Sequence, residues 1–557
     1  MNISILLPDV ISKIIAKKQR SRLRVIMRGY RKLKAQGRLS LLAELKDILA
    51  DKQFERIKRQ ASKTMFGAST ESASLVVRQY LYTQLLVNRR FNIAILYSIG
   101  SGNPIKCPLP VEWREILEKE GYRVDGFSCQ LQWVLFLFVY FCFGIYRAFG
   151  IFNAAIIRNK MSASQSALPF AYFHNLSHLN VHSVSDGKFS ENIITWYAQW
   201  SGRNKNIINL HHNAKNTSDS EFDGFNVSYA PLTQLNMGGV KSLFVFFGWF
   251  MTALAICIKD LLLLRWWTFL LFEQYVQGAI LRHAEERMIA RDYLLHHTGV
   301  FYRPIWTYEA EKRSARVILY FYSTNNSFSF KKIEGYPDIW NSLKLSSWPL
   351  ILVWDKYQAQ FVKRLFRSYR TIEIVGHIWF SSSHANNIDV DFKKNISAGI
   401  FDVQPHRSSL YQTLGVPTEY YDSKVAIQFL IDVHKVLDDN SIFALHKRKR
   451  NVGNVTHPKY INILHTFSGE NQISIDPDLS ANYLIKKVDF VISMPFTSTA
   501  LLAQYQNKPS IYYDPFGDVQ KDDRAAHGIQ VIIGIDELKS WVQEFMLQLD
   551  KLEDNNR

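Results

Sequence analysis

With 557 residues, 47% of them hydrophobic and 14% aromatic, the chain is too long for a single small domain and too apolar for disorder. Its formal charge of +18 requires a polyanionic neighbour: nucleic acid, an anionic membrane face or a phosphorylated substrate. The four cysteines (Cys107, Cys129, Cys142, Cys257) show no CxxC pair or zinc spacing, and read as reduced, buried thiols in a cytosol-facing protein.

Residues 1–38 carry eleven Lys and Arg against one acid, Asp9, with Ile11, Ile14, Leu23, Val25 and Ile26 interleaved. This basic amphipathic segment suits an anionic bilayer better than base edges, and it lacks the apolar core and cleavage site of a signal peptide. Residues 1–90 read as a helical region with a polar break at Gly67–Ser72. Phe91–Tyr97 then reads as a strand ending at Ser98–Asn103, and Trp113–Gly121 as a short helix before an edge at Arg123–Asp125. Gly126–Tyr146 and Ser242–Ile258 carry no charge, and the second continues past Lys259–Asp260 to Phe272. Each approaches the ~20 residues that cross a bilayer. Between them lie Pro169–Phe173 and Ile207–Leu210, which read as inner strands of one α/β sheet, the second fed by a helix over Glu191–Trp200. Spanning helices would divide that sheet, so the expectation is shallow, monotopic insertion of two apolar segments, 126–157 and 242–272.

A second alternation begins near Arg316. Val317–Tyr322, Pro349–Trp354, Thr371–Val375, Gly399–Val403, Ser441–Leu445, Phe490–Ser493 and Pro509–Tyr513 read as strands separated by helix-length gaps. That pattern predicts a parallel, doubly wound sheet. The expected organisation is a basic helical region over 1–90, a first α/β domain over 91–315 and a second over 316–557.

Chemistry concentrates where Phe490–Ile492 runs through Pro495 into Thr497, Ser498, Thr499 and the helix-competent Ala500–Ala503. Hydroxyls and free N–H groups at a helix N-terminus on a sheet edge suit a phosphate; the plainer reading is an N-cap. His446, Lys447 and Lys449 follow the Ser441–Leu445 strand and offer cations to a departing nucleotide, or form a solvated loop. Asp402 and Asp514 close strands and either cap loops or touch a nucleoside. His174, His211 and His212 follow strands of the first domain and are the candidate general bases, although a histidine so placed more often satisfies backbone groups. Asp476–Pro477–Asp478 reads as a cap, and no convincing DxD loop appears, so neither metal nor cofactor is expected.

The tetrad Pro495–Phe496–Thr497–Ser498 resembles the motif of the bacterial polysaccharide-biosynthesis proteins named for PFTS, with Phe401–Asp402–Val403 upstream and Lys508–Pro515 downstream as its setting. Over about residues 316–545 the chain is similar to the nucleotide-binding half of GT-B glycosyltransferases. That resemblance implies two Rossmann-like domains facing a cleft, and sugar transfer from a nucleotide donor to a lipid-linked glycan of capsule or O-antigen at the cytoplasmic face of the inner membrane. In transferases using CMP-activated acidic sugars, a His-containing basic loop and a Ser/Thr pair hold the phosphate; His446 with Lys447, and Ser498 with Thr499, occupy the matching positions. Where UDP- and GDP-sugar enzymes place a ribose-gripping Glu, this sequence has Leu502, which favours CMP. The rival readings are a CDP-polyol phosphotransferase of the same fold and a non-catalytic membrane scaffold. Nucleic-acid binding lacks any module motif.

Overall fold

The computed structural model describes residues 9–38, 41–52, 54–60, 70–86, 89–161, 170–174, 176, 193–202, 209–212, 220–222, 225–229, 239–296, 303–321, 345–366, 368–378, 396–407, 420–449, 453, 456–466, 471–477, 479–521 and 524–555. The basic N-terminal segment forms one helix, Asp9–Ala35, followed by Leu41–Asp51, Glu55–Gln60, Thr70–Leu81 (continued by a wider turn, Tyr82–Leu86) and Arg89–Ser101. The predicted strand Phe91–Tyr97 is therefore helical. Its apolar run fits either period, and Phe91 and Ile95, four residues apart, bury one helix face. The basic helix is docked, not free: Ile26 and Leu33 are buried, and its backbone closely approaches Arg89–Ser101. A Cβ at Gly100 would lie 2.1 Å from the Val25 carbonyl oxygen, and one at Gly29 2.0 Å from that of Leu96.

The uncharged segments form the helices Gly126–Met161 and Gly239–Leu262, joined through Trp266–Arg282. In the first two, Gly126–Asn153 and Leu243–Leu262 are long and apolar enough to cross a membrane, with only 17% and 28% of their most apolar windows buried. Phe127, Phe138, Phe149, Phe244 and Leu262 stand exposed along them. The third helix is their inner support, burying Trp267, Leu270, Leu271 and Val276. Gly144 lets it approach: a Cβ there would meet Phe272 at 2.3 Å. Three cysteines are buried as expected, whereas Cys142 is exposed on the first apolar helix.

Two sheets follow. The first comprises β1 (Phe170–His174), β2 (Asn209–His212), β3 (Ser220–Phe222), β4 (Phe225–Tyr229), β5 (Asp292–His296), β6 (Arg316–Tyr320), β7 (Ser347–Val353) and β8 (Ser368–Ile374). Their order is β3-β4-β2-β1-β5-β6-β7-β8, parallel except between β3 and β4. The second comprises β9 (Ser397–Phe401), β10 (Phe443–Lys447), β11 (Gln472–Ile475), β12 (Phe490–Ser493), β13 (Ser510–Asp514) and β14 (Gln530–Ile533), all parallel in the order β11-β10-β9-β12-β13-β14. That is the 3-2-1-4-5-6 order of doubly wound dinucleotide-binding sheets, whose switch point lies between the first and fourth strands, here β9 and β12.

The sequence drew its domain boundary at 315/316, yet β6, β7 and β8 pair in the first sheet. Alternation is uniform across Arg316, and the missed β5 hid the continuity. One apolar cluster includes Phe173, Tyr320 and Trp354 of the first sheet region with Phe401, Phe490 and Tyr512 of the second, so the two sheets share packing.

Candidate functional site

β12 carries four buried residues, Phe490–Ser493, and its exit is built by hydrogen bonds. The Met494 N–H donates to the Phe401 carbonyl (2.9 Å), continuing the β9–β12 pairing for one residue. Phe496 then takes φ +61°, a left-handed conformation that L side chains rarely adopt, while its ring is buried near Tyr512. Two tyrosines hold the turn: Tyr421 Oη donates to the Pro495 carbonyl (2.8 Å) and Tyr512 Oη to the Thr497 carbonyl (2.6 Å).

Thr497 is the N-cap residue of the helix Ser498–Tyr505, but its side chain makes no capping bond. Its Oγ1 instead donates to the Met494 carbonyl at 2.8 Å. Thr499 Oγ1 shares a hydrogen bond with Ser493 Oγ at 2.8 Å. Two of the three hydroxyls thus shape the loop, and among the described residues no side chain accepts from the first N–H groups of the helix. A helix start without a side-chain cap, at the switch point of a doubly wound sheet, presents donors and the positive dipole end outward.

The cationic run is arranged differently from its sequence reading. The strand continues two residues past Leu445, so His446 and Lys447 belong to β10 and not to a loop. His446 turns inward, with Nε2 3.4 Å from Asp402 Oδ2, and the same carboxylate oxygen accepts from Tyr460 Oη. His434 packs across the His446 ring, and burial with the neighbouring imidazole pushes its pKa down to about 3. Lys447 Nζ donates to the Pro477 carbonyl at 2.9 Å, tying down the turn after β11. Lys449 is exposed beyond the end of β10. Asp514 is a loop cap: its carboxylate accepts from the N–H groups of Phe516 (3.2 Å) and Val519 (2.7 Å), and burial raises its pKa. Pro477 lies in a turn, and Asp478 falls outside the described residues.

In the first sheet, His211 and His212 are likewise strand residues. His211 Nδ1 and Ser228 Oγ share a hydrogen bond (2.6 Å) between β2 and β4, a structural pairing, and His212 is buried beside Tyr229. His174 ends β1 at the switch point between β1 and β5, with Trp306 across its ring. Burial, and secondarily His296, pushes its pKa down to about 4, so the imidazole is neutral at pH 7. His296, at the end of β5, was missed, although it repeats the pattern of an apolar strand closing on His. A seam between the sheets was also missed. Asp355 Oδ2 lies 2.5 Å from His527 Nδ1, and the ring of His377 stacks on Tyr505 with centroids 4.9 Å apart.

A family model described as Polysaccharide biosynthesis PFTS motif protein matches residues 249–542, more than half of the chain. The chain belongs to this family. The PFTS motif is therefore Pro495–Ser498, the turn and helix start just described. No curated protein matches the sequence. Among solved structures, a Staphylococcus aureus MnaA–UDP co-structure aligns with TM-score 0.35 and 11% identity, covering 68% of this chain and 88% of that one. The glycotransferase of kitacinnamycin aligns with TM-score 0.34 and 9% identity, covering 68% and 90%. Scores this low assign neither fold nor function to the PFTS motif chain.

Proposed function

We propose that this protein is a glycosyltransferase of surface polysaccharide assembly that takes its sugar from a nucleotide donor. The observation that carries the reading is the family motif itself: it forms a strained turn and a helix start without a side-chain cap, at the carboxyl edge of a sheet in dinucleotide-binding order. The donor phosphate sits on the N–H groups of Ser498 and Thr499 with the Ser498 hydroxyl as a further donor, and exposed Lys449 adds charge from β10. The Asp402–His446–Tyr460 group acts beneath the edge, fixing the exits of β9 and β10. Shared packing of the two sheets supports facing Rossmann-like domains in a GT-B arrangement, with the β1–β5 switch point as the acceptor side. Leu502, buried where a ribose-gripping carboxylate would stand, supports a CMP donor over UDP or GDP.

The enzyme works from one face of a membrane. Strands β1 to β4 lie between the two apolar helices in sequence, yet β1 pairs with β5 beyond the second helix. Both connections therefore return to the same side, which supports helices seated in one leaflet. The test is a thermal-shift panel of CMP, UDP and GDP on wild type and Ser498→Ala. One nucleotide should raise the transition in wild type and do so less in the variant. Identical shifts for both proteins would remove the phosphate site.

A further inference from the structure

The helical unit contains a cavity of about 490 Å3 lined by Tyr80, Tyr140, Phe143 and Tyr146, together with Arg147, Gly150 and Glu273. Its two charges are out of place for their surroundings. Arg147 is the single charged residue within the apolar stretch Gly126–Asn153, and Glu273 sits among Phe272, Gln274 and Tyr275 on the supporting helix. Ionisable groups in such segments mark ligand paths or relays more often than packing.

The carboxylate is held by four bonds. Glu273 Oε1 accepts from Arg147 Nε (3.2 Å), Arg147 Nη2 (2.8 Å) and Gln277 Nε2 (2.5 Å), and Oε2 accepts from Gln274 Nε2 (2.5 Å). Arg147 is half exposed, and its second terminal nitrogen remains for a guest. The ion pair neutralises itself, so the cavity does not favour an anion. Aromatic rings beside fixed donors and acceptors, without net charge, suit a sugar ring with its apolar faces and many hydroxyls. The same helix exposes Phe138 and Phe149 to the apolar surroundings, where the tail of an amphiphile would continue.

We infer that this cavity binds the sugar head of a membrane glycolipid. Its role as the acceptor rests on the transferase reading, whereas the binding itself does not. The test uses the full chain in phosphatidylcholine nanodiscs, with a fluorescent glucosyl-diacylglycerol as probe. Gly150→Leu is the blocking variant: Gly150 lines the cavity, and a Cβ there meets nothing within 4 Å, so the backbone accepts a side chain at this position. Tyr146→Ala removes an exposed ring from the lining.

Wild type should bind the glucolipid, and both variants should bind it about tenfold more weakly or worse, while keeping the wild-type nucleotide response and circular dichroism. Equal affinity in all three proteins overturns the assignment. So does tighter binding of phosphatidylglycerol, an anionic lipid without sugar. Retained glucolipid binding in a protein that responds to no nucleotide supports the cavity and removes only its acceptor role.

Discussion

Asp355 and His527 meet at 2.5 Å across the seam between the two sheets, the imidazole fully buried and the carboxylate partly exposed. Asp355 works twice, since its other oxygen accepts from the Gln358 N–H at 2.8 Å and caps the helix Lys356–Leu365. Tyr357 packs on the same imidazole. The relationship fixes where the edge carrying the PFTS turn stands relative to the first sheet.

His527→Ala should therefore destabilise the protein by about 1.5–3 kcal/mol, the range for a hydrogen bond to a charged group. Asp355→Ala loses the helix cap as well, about 1 kcal/mol more. Because the two residues share one bond, the double variant should cost less than the sum of the singles. Urea unfolding of the four proteins checks this; strict additivity would show that the contact contributes nothing.

The hydroxyl cluster of the motif divides into structural and free members. Ser493 is fully buried, and Thr499 answers it at 2.8 Å. Thr499→Val and Ser493→Ala should each cost about 1 kcal/mol of stability. Ser498→Ala should stay within about 0.5 kcal/mol of wild type and alter only nucleotide binding. A thermal denaturation series separates them. A Ser498 variant as unstable as the other two would make that hydroxyl a structural element.

Acid should weaken the fold through two buried imidazoles. Burial lowers the pKa of His174 to about 4 and of His434 to about 3, whereas an unfolded His titrates near ~6.5. Below that value the unfolded chain binds protons that the folded chain refuses, so stability is full above pH ~6.5 and falls progressively toward pH ~4. His174→Gln removes one such site and should flatten the slope in that window. Urea midpoints measured from pH 7.5 to 4.5 check it; parallel curves for the two proteins would contradict the depressed pKa.

Much of the second sheet was legible because β9, β10, β12 and β13 are short apolar runs closed by polar residues, a pattern that strands in fully buried parallel sheets share. The motif's placement was legible for the same reason. What failed was side-chain direction. His446, Lys447, His211 and His212 were read as loop residues, yet each strand runs two residues further and alternation decides where they point. The Asp355–His527 and His377–Tyr505 contacts join residues far apart in the chain, and no local spacing announces them. Phe91–Tyr97 misled because an unbroken apolar run does not distinguish a strand from a buried helix.

Two glycines make opposite predictions. Gly100→Ala places a Cβ 2.1 Å from the Val25 carbonyl oxygen, against rigid backbone of the neighbouring helix. The helices must separate, at a cost of about 1–3 kcal/mol or more. Gly150→Ala faces open space within a helix and should gain up to about 1 kcal/mol. Thermal unfolding of both variants checks the docking of the basic helix; a neutral Gly100 variant would mean that the two helices do not cross so closely.

Membrane attachment should rest on apolar contact first and charge second. Phe138 and Met251 are exposed near the middle of the two apolar helices, whose opposite faces lie on Trp266–Arg282. Placing Asp at both positions puts two charges where hydrocarbon is expected, at about 2.5–3.5 kcal/mol each. The basic helix contributes exposed Arg22, Arg24, Arg28 and Arg31, while burying Ile26 and Leu33 in the core, so deleting it would unfold what it touches. Changing those four arginines to Gln tests charge alone. In membrane flotation the Phe138→Asp, Met251→Asp protein should move to the soluble fraction at any salt concentration. The arginine variant should stay bound, with only its preference for anionic vesicles reduced. Release of wild type by high salt would reverse that order and reduce the apolar helices to a secondary role.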